Sequence, residues 1–363
     1  MKKLLPEVCT IQYGFPFDSA KFSDSDGMPL IRIRDVVRGY SETYTTEEYK
    51  SEYIVHENDL LIGMDGEFNI AKWGKTPALL NQRVCRLAPK DSIDKDYLFY
   101  FMPIALKRIE EKTPFVTVKH LSAKELNKIE IPVLPLEEQR KIAETLSKVD
   151  ELIAFRDQQL AKLDELVKAR FVEMFGESEY PRNSLISLII EGAGLSYGIV
   201  QPGDDGTGDM GVLRPVDFAD GKIKTDSIKY IDRSLGDGFK KTELNGNELL
   251  ITVRGTTGIT ALTDSRFKGM NVTRGIAVIR YDKKKVDSIY LNEYIKMEKS
   301  QQYIKEHTRG ATLQQINLSE LRDLEIVIPP LPLQRVFATF VEHVDQQKQT
   351  VQQSLEKLEL LKK

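Results

Sequence analysis

Residues Leu126–Leu146 read LNKIEIPVLPLEEQRKIAETL, and a close copy stands later in the chain as Leu321–Val341, LRDLEIVIPPLPLQRVFATFV. Both copies run Leu-x-x-Leu/Ile-Glu-Ile, then through a proline-rich turn, then Gln-Arg. They lie 195 residues apart, inside longer similar segments at Thr117–Lys168 and Thr312–Lys363. Because self-similarity at a fixed spacing indicates a repeated structural unit, we expect two copies of one unit of about 180–195 residues. In each unit a globular part would precede a long helix.

Weaker copies precede these segments in the same order. The matched pairs are Met28–Gly39 with Met210–Gly221, Asn58–Ile70 with Asn247–Ile259, and Tyr97–Leu98 with Tyr290–Leu291. The expected counterparts of Asn81 and Arg83 lie near Asn271 and Arg274. The duplication therefore extends through the globular parts as well as the helices.

A long helix is predicted after each proline-rich turn. Pro135 and Pro332 stand just before the helical pattern, where a missing N–H does no harm. Apolar residues then recur every three or four positions over Glu137–Phe175, and the second copy keeps the same register over Phe337–Leu358. The polar interruptions of these stripes are Arg156, Arg170 and Lys348. The pattern predicts a coiled coil of two helices, and the alternative is an amphipathic helix packed on its own domain.

Short β-rich runs bounded by Gly, Asn, Asp and Pro characterise the globular parts. These runs are LIRIRDVV at 30–37, DLLIGM at 59–64, RVCRLA at 83–88, ELLITV at 248–253 and GIAVIRY at 275–281. Helical stretches intervene at Lys95–Lys112 and Ser288–His307. We expect each globular part to be an α+β domain with a twisted, largely antiparallel sheet.

The composition narrows the functional class. The chain has 363 residues, 41% of them hydrophobic, and a net charge of −3. No run of about 18 apolar residues predicts a membrane helix, and the N-terminus lacks the apolar core of a signal peptide. Cys9 and Cys85 are too isolated for a disulfide framework or a thiolate zinc site. We expect a cytoplasmic protein whose basic clefts, if it binds nucleic acid, are local.

Motifs of catalysis are scarce. The sequence has no P-loop, no dinucleotide-binding glycine motif, no Asn/Asp-Pro-Pro-aromatic tetrapeptide of amino-methyltransferases and no cluster typical of a metal site. Gly194–Gly198, GLSYG, fits the Gly-x-Ser-x-Gly pattern of a nucleophile elbow, which would make Ser196 a hydrolase nucleophile. The strand and helix expected around an elbow are lacking, and the first copy has no serine near Tyr13–Gly14. We interpret this segment as a loop and keep the hydrolase as an alternative.

Basic and amide side chains gather instead in turns. Val253–Gly258, VRGTTG, follows a strand, and its counterpart is MDGEFN at Met64–Asn69. The loop at 307–315 likewise matches that at 112–120. Arg, Asn and Gln can read base edges, while Lys, Thr and backbone N–H groups hold phosphates. The candidate DNA-binding residues are Arg34, Asn69, Arg83, Thr117, Lys119 and His120 in the first copy, and Arg254, Thr256, Thr257, Arg274, Arg309, Gln314 and Gln315 in the second.

The repeat at Leu126–Leu146, followed by a long helix and then Phe171–Gly176, resembles the conserved region of specificity (S) subunits of type I restriction–modification enzymes. The Asn-Asp-Leu-Leu-Ile and Asn-Glu-Leu-Leu-Ile strands resemble the target-recognition domains of that family, and the resemblance covers essentially the whole chain. It implies the following organisation: target-recognition domains at 1–133 and 179–330, and conserved spacer helices at 134–178 and 331–363 that form an antiparallel coiled coil.

The resemblance also implies a function. Such a subunit has no catalytic site, and its two domains each read one half of a bipartite, asymmetric duplex DNA site. Its partners would be two methyltransferase (M) subunits and the restriction (R) subunits. Those partners would bind S-adenosylmethionine, ATP and Mg, so no cofactor or metal is expected in this chain. Since the two candidate recognition loops differ, the two half-sites should differ in sequence.

Two features depart from the repeat. Asp65 and Glu67 stand where the second copy has Arg254 and Thr256, so this loop either accepts a cytosine amino group or points away from DNA. The second helix is also shorter than the first, which leaves the part after Lys168 without a matching copy.

Other interpretations remain open at this point. A coiled-coil scaffold that binds only protein is a second alternative, beside the hydrolase. The pairs Gln139–Arg140 and Gln334–Arg335 recur at the start of both helices, and we expect them to fix the junction between domain and helix rather than to contact DNA.

Overall fold

The computed structural model describes residues 1–112, 119–176, 179–201, 203, 208–219, 221–311 and 313–362. The chain divides into two compact units. Unit 1 comprises Met1–Phe155 with Lys357–Lys363, and unit 2 comprises Arg156–Glu356.

Unit 1 contains the first eleven described strands. They are β1 Lys2–Leu4, β2 Cys9–Tyr13, β3 Phe22–Ser23, β4 Met28–Ile31, β5 Tyr44–Thr45, β6 Ile54–Val55, β7 Leu60–Gly63, β8 Ile70–Lys72, β9 Ala78–Leu80, β10 Val84–Pro89 and β11 Glu130–Pro132. The α-helices are α1 Leu5–Val8, α2 Ile33–Arg38, α3 Lys95–Lys112, α4 Ala123–Leu126 and the start of α5 Leu136–Phe175. Short 3-10 helices lie at Ser19–Lys21 and Ser51–Tyr53.

Unit 2 contains the remaining described strands. They are β12 Arg182–Ser184, β13 Ser196–Tyr197, β14 Met210–Leu213, β15 Phe218–Ala219, β16 Lys222–Ile223, β17 Lys229–Ile231, β18 Leu249–Thr252, β19 Thr260–Leu262, β20 Asn271–Val272, β21 Ile276–Ile279, β22 Thr308–Arg309, β23 Gln315–Ile316 and β24 Glu325–Val327. The α-helices that begin there are α6 Ser288–Lys296, α7 Glu298–Glu306, α8 Leu318–Arg322 and α9 Leu331–Lys362. Its 3-10 helices are Leu185–Leu188, Pro215–Asp217, Arg233–Thr242 and Ser265–Phe267.

The two units share the topology of their main sheet, while the second sheet has five strands in unit 1 and three in unit 2. Each has a four-stranded antiparallel sheet, in the order β2-β10-β7-β8 in unit 1 and β13-β21-β18-β19 in unit 2. Each also has one parallel pair, β4 with β9 and β14 with β20. The first strand of each unit pairs with its last, β1 with β11 and β12 with β24. This confirms two repeated α+β domains, and the parallel pairs explain why the sheets are antiparallel only in the main.

Two predicted elements differ from the structure. The strand predicted over 30–37 ends at Ile31, and the residues after it form helix α2. The buried Asp35 carboxylate accepts a hydrogen bond from the Arg32 N–H at 2.9 Å, which caps the helix. The helix predicted over Ser288–His307 is two helices, because Met297 is extended with φ −66° and ψ 151°.

The acidic residue of the Asn-Asp/Glu-Leu-Leu-Ile motif stabilises the turn before its strand by accepting hydrogen bonds. In unit 2 the Glu248 carboxylate accepts hydrogen bonds from the Asn245 N–H at 2.7 Å and the Thr263 hydroxyl at 2.9 Å. In unit 1 the shorter Asp59 accepts one from the His56 N–H at 2.9 Å. The motif therefore places β7 and β18, the strands from which the candidate recognition loops emerge.

A buried glutamine joins each globular part to its long helix. The Gln139 side chain accepts a hydrogen bond from the Asp94 N–H at 2.8 Å and donates to the carbonyl five residues earlier at 2.7 Å. Gln334 repeats both bonds, with the Asp287 N–H at 2.9 Å and a carbonyl at 2.8 Å. Both glutamines have no exposed surface, so the junction role predicted for them is confirmed, whereas Arg335 is exposed.

The two long helices pair in antiparallel fashion through the polar residues that interrupt their apolar stripes. In unit 2 Arg156 Nε donates to Ser354 Oγ at 3.2 Å, and Lys348 forms an ion pair with Asp164. In unit 1 Lys362 Nζ lies 2.6 Å from an Asp150 carboxylate oxygen. The partner number on α9 falls as the number on α5 rises, which is the signature of an antiparallel pair. The interruptions thus fix the register of the coiled coil.

The end of α5, which has no copy in the second repeat, belongs to the core of unit 2. The ring of Phe171 lies 5.9 Å from that of Tyr290 and 5.5 Å from that of Phe337. Phe175 joins the same cluster, 5.1 Å from Tyr290. Both phenylalanines are buried, so this segment is held by packing on its own domain.

Candidate nucleic-acid interface

Backbone hydrogen bonds bring three distant segments of unit 1 together. The Met64 N–H donates to the carbonyl of Arg83 at 2.9 Å, and the Gly66 N–H donates to that of Lys119 at 2.9 Å. The Leu121 N–H in turn donates to the Met64 carbonyl at 2.7 Å. The loop after β7, the turn before β10 and the segment before α4 therefore form one assembly, which we call frame 1.

Unit 2 contains the same assembly, frame 2. The Val253 N–H donates to the Gly275 carbonyl at 2.8 Å, and the Gly255 N–H to that of Gln314 at 2.8 Å. The Ile316 N–H donates to the Val253 carbonyl at 3.0 Å. Single β-bridges join Asp65 to His120 in frame 1 and Arg254 to Gln315 in frame 2. Position by position, Asp65 corresponds to Arg254, Lys119 to Gln314, and His120 to Gln315.

The predicted correspondence between Arg83 and Arg274 is shifted by one residue. The Gln82 N–H donates to the Phe15 carbonyl at 2.9 Å, and the Arg274 N–H donates to the Ile199 carbonyl at 2.9 Å, in the equivalent place. Arg274 therefore matches Gln82, and the counterpart of Arg83 is Gly275. Sequence comparison alone cannot detect a shift of one residue in this turn, because no motif in either copy fixes the alignment there.

The side chains of frame 1 form a charged cluster. Asp65 Oδ1 lies 2.5 Å from His120 Nδ1, and Asp65 Oδ2 lies 3.6 Å from Arg83 Nε. Arg83 Nη1 also approaches His120 Nδ1 at 3.3 Å. Lys119 is held apart from this group, 3.5 Å from the Glu110 carboxylate. The sequence left two possibilities for Asp65, contact with a cytosine amino group or a position away from DNA. The structure shows a third arrangement, in which the Asp65 carboxylate contacts His120 and Arg83 within the protein.

In frame 2, more of the candidate DNA-binding side chains lack a partner among the described residues. Within the described parts of the chain, the side chains of Arg254 and Arg274 have no ion pair or hydrogen bond. The exposed Arg309 is tied to Glu320, with Nη2 at 2.9 Å from Oε1. The Thr257 hydroxyl lies 3.1 Å from that of Thr308.

The other candidates of the second copy flank these residues. Thr256 and Gln314 are exposed, and the half-buried Gln315 pairs with Arg309 across the β22–β23 hairpin. The structure therefore places Arg254, Thr256 and the two glutamines around one loop.

The remaining candidates of the first copy differ in surroundings. Arg34 is exposed on α2, which packs on β7 and β8, with Nε 3.7 Å from an oxygen of its neighbour Asp35. Asn69 ends the loop after β7, and its side-chain oxygen is buried without a hydrogen-bond partner among the described residues. Thr117 lies outside the described residues.

The middle of the segment that fits the nucleophile pattern is a short strand. Ser196 and Tyr197 form β13, with Ser196 opposite Val278 of β21. A nucleophile elbow needs its serine on a sharp turn between a strand and a helix, so the elbow is not formed. The loop interpretation is wrong for Ser196 and Tyr197 but agrees with Gly194, Leu195 and Gly198, which lie outside any strand. In the described ranges no three His, Cys, Asp or Glu side chains are grouped to hold a metal ion.

A family model for the type I restriction modification DNA specificity domain matches residues 1–165 and 207–360. The chain belongs to this family. The specificity subunit of the EcoBI type I restriction enzyme of Escherichia coli is 29% identical over 373 aligned positions, which cover 94% of this chain and 78% of the relative. The putative MjaX specificity subunit of Methanocaldococcus jannaschii is 26% identical, with 94% and 85% covered.

Two solved structures share the fold. A type I restriction–modification S subunit from M. genitalium superposes with a TM-score of 0.57 at 14% identity, covering 100% of this chain and 93% of that one. A chain from a structural study of complex assembly and conformational transition in a type I system gives 0.61 at 17% identity, with 100% and 95% covered.

The predicted identity is therefore confirmed. This chain is a DNA specificity subunit of a type I restriction–modification system, and such subunits are the non-catalytic components of their complexes. None of the helices in the described ranges is long and apolar enough to cross a membrane.

Proposed function

We propose that this specificity subunit reads a bipartite, asymmetric duplex DNA site, with frame 1 contacting one half and frame 2 the other. The observation that supports this is the pair of equivalent backbone assemblies that carry different side chains, Asp65 and His120 in one, Arg254 and Gln315 in the other. A shared frame gives both halves the same mode of approach, while different side chains give them different base preferences.

The target-recognition domains would be residues 1–133 and 179–330, and the spacer helices 134–178 and 331–363. We assign base and phosphate contacts to the thirteen candidates of the sequence analysis. Within that set, half-buried Arg254 and exposed Thr256 are the strongest candidates for frame 2, because nothing described competes for the Arg254 guanidinium.

The partners would be two methyltransferase subunits, docked on the spacer helices and the domains, and the restriction subunits. S-adenosylmethionine, ATP and Mg would act in those partners rather than in this chain. The complex would work in the cytoplasm, where it meets DNA. The repeated architecture supports this proposal, since two equivalent surfaces suit two identical subunits.

Methylome sequencing tests the proposal. This chain and its methyltransferase subunit would be expressed together in a host free of DNA methylation, and we expect one bipartite motif with modified adenine in both halves. Exchanging residues 180–310 for the matching segment of a relative should change one half only. A stable complex without sequence-specific methylation would instead favour the protein-binding scaffold, and absence of both complex and methylation would refute the assignment of partners.

A further inference from the structure

We infer that Arg83 reads a guanine in the half-site of unit 1 and that Asp65 is the positioning residue that aims it. The inference rests on the proposed function and deepens it. It names the base that is recognised, and it distinguishes the guanidinium of Arg83, which contacts the base, from the carboxylate of Asp65, which orients that guanidinium. It also reassigns Asp65, which by sequence alone is a candidate acceptor for a cytosine amino group.

The backbone at Arg83 is the first observation. Its φ is +73°, and among the described residues other than glycine only Asn58 shares a positive φ. An L-residue with a long side chain is disfavoured there by about 1–2 kcal/mol. The Arg83 carbonyl accepts the Met64 N–H at 2.9 Å, so this turn is part of frame 1. Strain of this kind concentrates where a side chain must be held in one direction.

The contacts of the guanidinium are the second observation. Asp65 lies beside Nε at 3.6 Å and His120 beside Nη1 at 3.3 Å, so these two neighbours contact different nitrogens of the guanidinium and neither contacts Nη2. The Arg83 side chain is 53% exposed, and among the described residues Nη2 has no hydrogen bond or ion pair, so it can donate to a ligand. Two parallel N–H donors match the O6 and N7 acceptors of guanine in the major groove, which is the commonest specific contact of arginine with DNA.

The carboxylate of Asp65 is better placed to orient Arg83 than to contact a base. It is only 21% exposed, and its two oxygens face His120 and Arg83. To accept a cytosine amino group, it would have to give up one of these partners. An arginine restrained by a carboxylate loses less side-chain freedom when it binds, so more of the hydrogen-bond energy appears as discrimination.

The internal repeat supplies the third observation. Frame 2 has Arg254 in the place of Asp65 and Gly275 in the place of Arg83, so each frame offers one arginine at these two positions, from opposite segments. A side chain at Gly275 would not fit, because its Cβ would lie 2.7 Å from the Pro215 ring. An arginine is therefore present in both frames, at the turn position in frame 1 (Arg83) and at the loop position in frame 2 (Arg254). An acidic residue accompanies it only in frame 1, where the arginine belongs to the turn.

The test compares methylation motifs of the complex formed with the methyltransferase subunit. The wild-type motif should contain a guanine in the half read by unit 1. In Asp65→Asn, discrimination for that guanine should fall about tenfold, the effect of losing one well-aimed bidentate contact. In Arg83→Gln the preference should move from guanine towards adenine, which glutamine pairs with. The other half of the motif should be unchanged in both variants.

The matched control is Glu42→Gln, which breaks another arginine–carboxylate pair of unit 1, with Arg38 Nη1 3.6 Å from Glu42 Oε2. It should leave the motif intact. If Arg83→Gln disturbs the strained turn and abolishes all methylation, Asp65→Asn decides, since it leaves the backbone path unaltered.

The outcomes separate the two levels of the proposal. A wild-type complex without a bipartite motif would refute the proposed function itself. A bipartite motif with no guanine in the half read by unit 1, which is the half that exchange of residues 180–310 leaves unchanged, would overturn the role of Arg83 and leave the proposed function standing. A motif that both variants leave unchanged would do the same.

Discussion

Single residues determine how the loops of this protein leave its sheets. Glu248 has no exposed surface and accepts hydrogen bonds from Asn245, Asn247 and Thr263. Burial alone would raise the pKa of Glu248, but these bonds and the nearby Arg280 together hold it below its usual range. The ionised carboxylate is thus the form that the folded state requires.

The first prediction concerns stability at this carboxylate. Glu248→Gln should lower the free energy of unfolding by about 1–3 kcal/mol, because it leaves buried N–H donors without an ionised acceptor. Chemical denaturation at neutral pH measures the difference. Asp264→Asn is the control, since that carboxylate is 48% exposed, and it should change stability by much less.

The same residue predicts a pH dependence. A carboxylate whose pKa is lower in the folded state stabilises the fold above its unfolded pKa, and this contribution is lost as the pH falls through the folded value. The wild-type protein should therefore lose more stability than Glu248→Gln between about pH 5 and pH 3. Equal losses in both proteins would contradict the assigned pKa direction.

The two cysteines give a prediction of opposite sign. Burial raises the pKa of the Cys9 and Cys85 thiols to about 12, so both remain protonated and unreactive in the folded state. Their contribution to stability is present below the unfolded pKa of about 8.5 and is lost as the pH rises towards 12. A thiol reagent at pH 8 should label neither cysteine until denaturant unfolds the chain, and rapid labelling of the native protein would refute this.

At the scale of elements, the end of α5 illustrates what a missing repeat means. Phe171 packs among Tyr290, Tyr294 and Phe337, while the next residue, Val172, is 61% exposed. One turn of helix thus contains a buried anchor beside a solvent-facing residue of similar chemistry.

The anchor can be tested against its neighbour. Phe171→Ala should destabilise unit 2 by about 3–5 kcal/mol, because it leaves a cavity in an aromatic cluster. Val172→Ala should change stability by less than about 0.5 kcal/mol. Thermal unfolding of both variants makes the comparison, and similar shifts in Tm would mean that α5 does not pack there.

The elements also show how far sequence reasoning extends. The helices α5 and α9, and the strands β7 and β18, follow from apolar periodicity and from the repeat, since both signals span many residues. Helix α2 was missed because Asp35 caps it through a contact that apolar periodicity does not encode. The break at Met297 was missed because no proline or glycine marks it.

The candidate site was harder to predict than the fold. The repeat correctly matched His120 with Gln315, but it could not show that Asp65, 55 residues before His120 in the chain, lies against that side chain. The register of Arg83 against Gly275 depends on backbone hydrogen bonds between segments that are distant in sequence. Contacts of this kind are set by the tertiary structure rather than by local pattern.

At the scale of the whole molecule, partner assembly gives a further prediction. Leu152 is 44% exposed on α5, an apolar side chain on a spacer helix that we expect to meet a methyltransferase subunit. Leu152→Glu should weaken that complex at least tenfold in Kd and leave Tm unchanged, as measured by titration and size-exclusion chromatography. Glu151→Gln, a change at the exposed neighbour, should have no such effect, and full assembly by Leu152→Glu would place the docking surface elsewhere.

The two frames have a consequence for how such a protein diversifies. The hydrogen bonds that define each frame join main-chain atoms, so they do not depend on which side chains stand at 65, 120, 254 and 315. Substitutions at 65, 120, 254 or 315 can therefore alter the chemistry presented to a ligand without refolding the loop that presents it. Related proteins can therefore change the specificity of one domain at a time, because the backbone tolerates substitution at the positions that face a ligand.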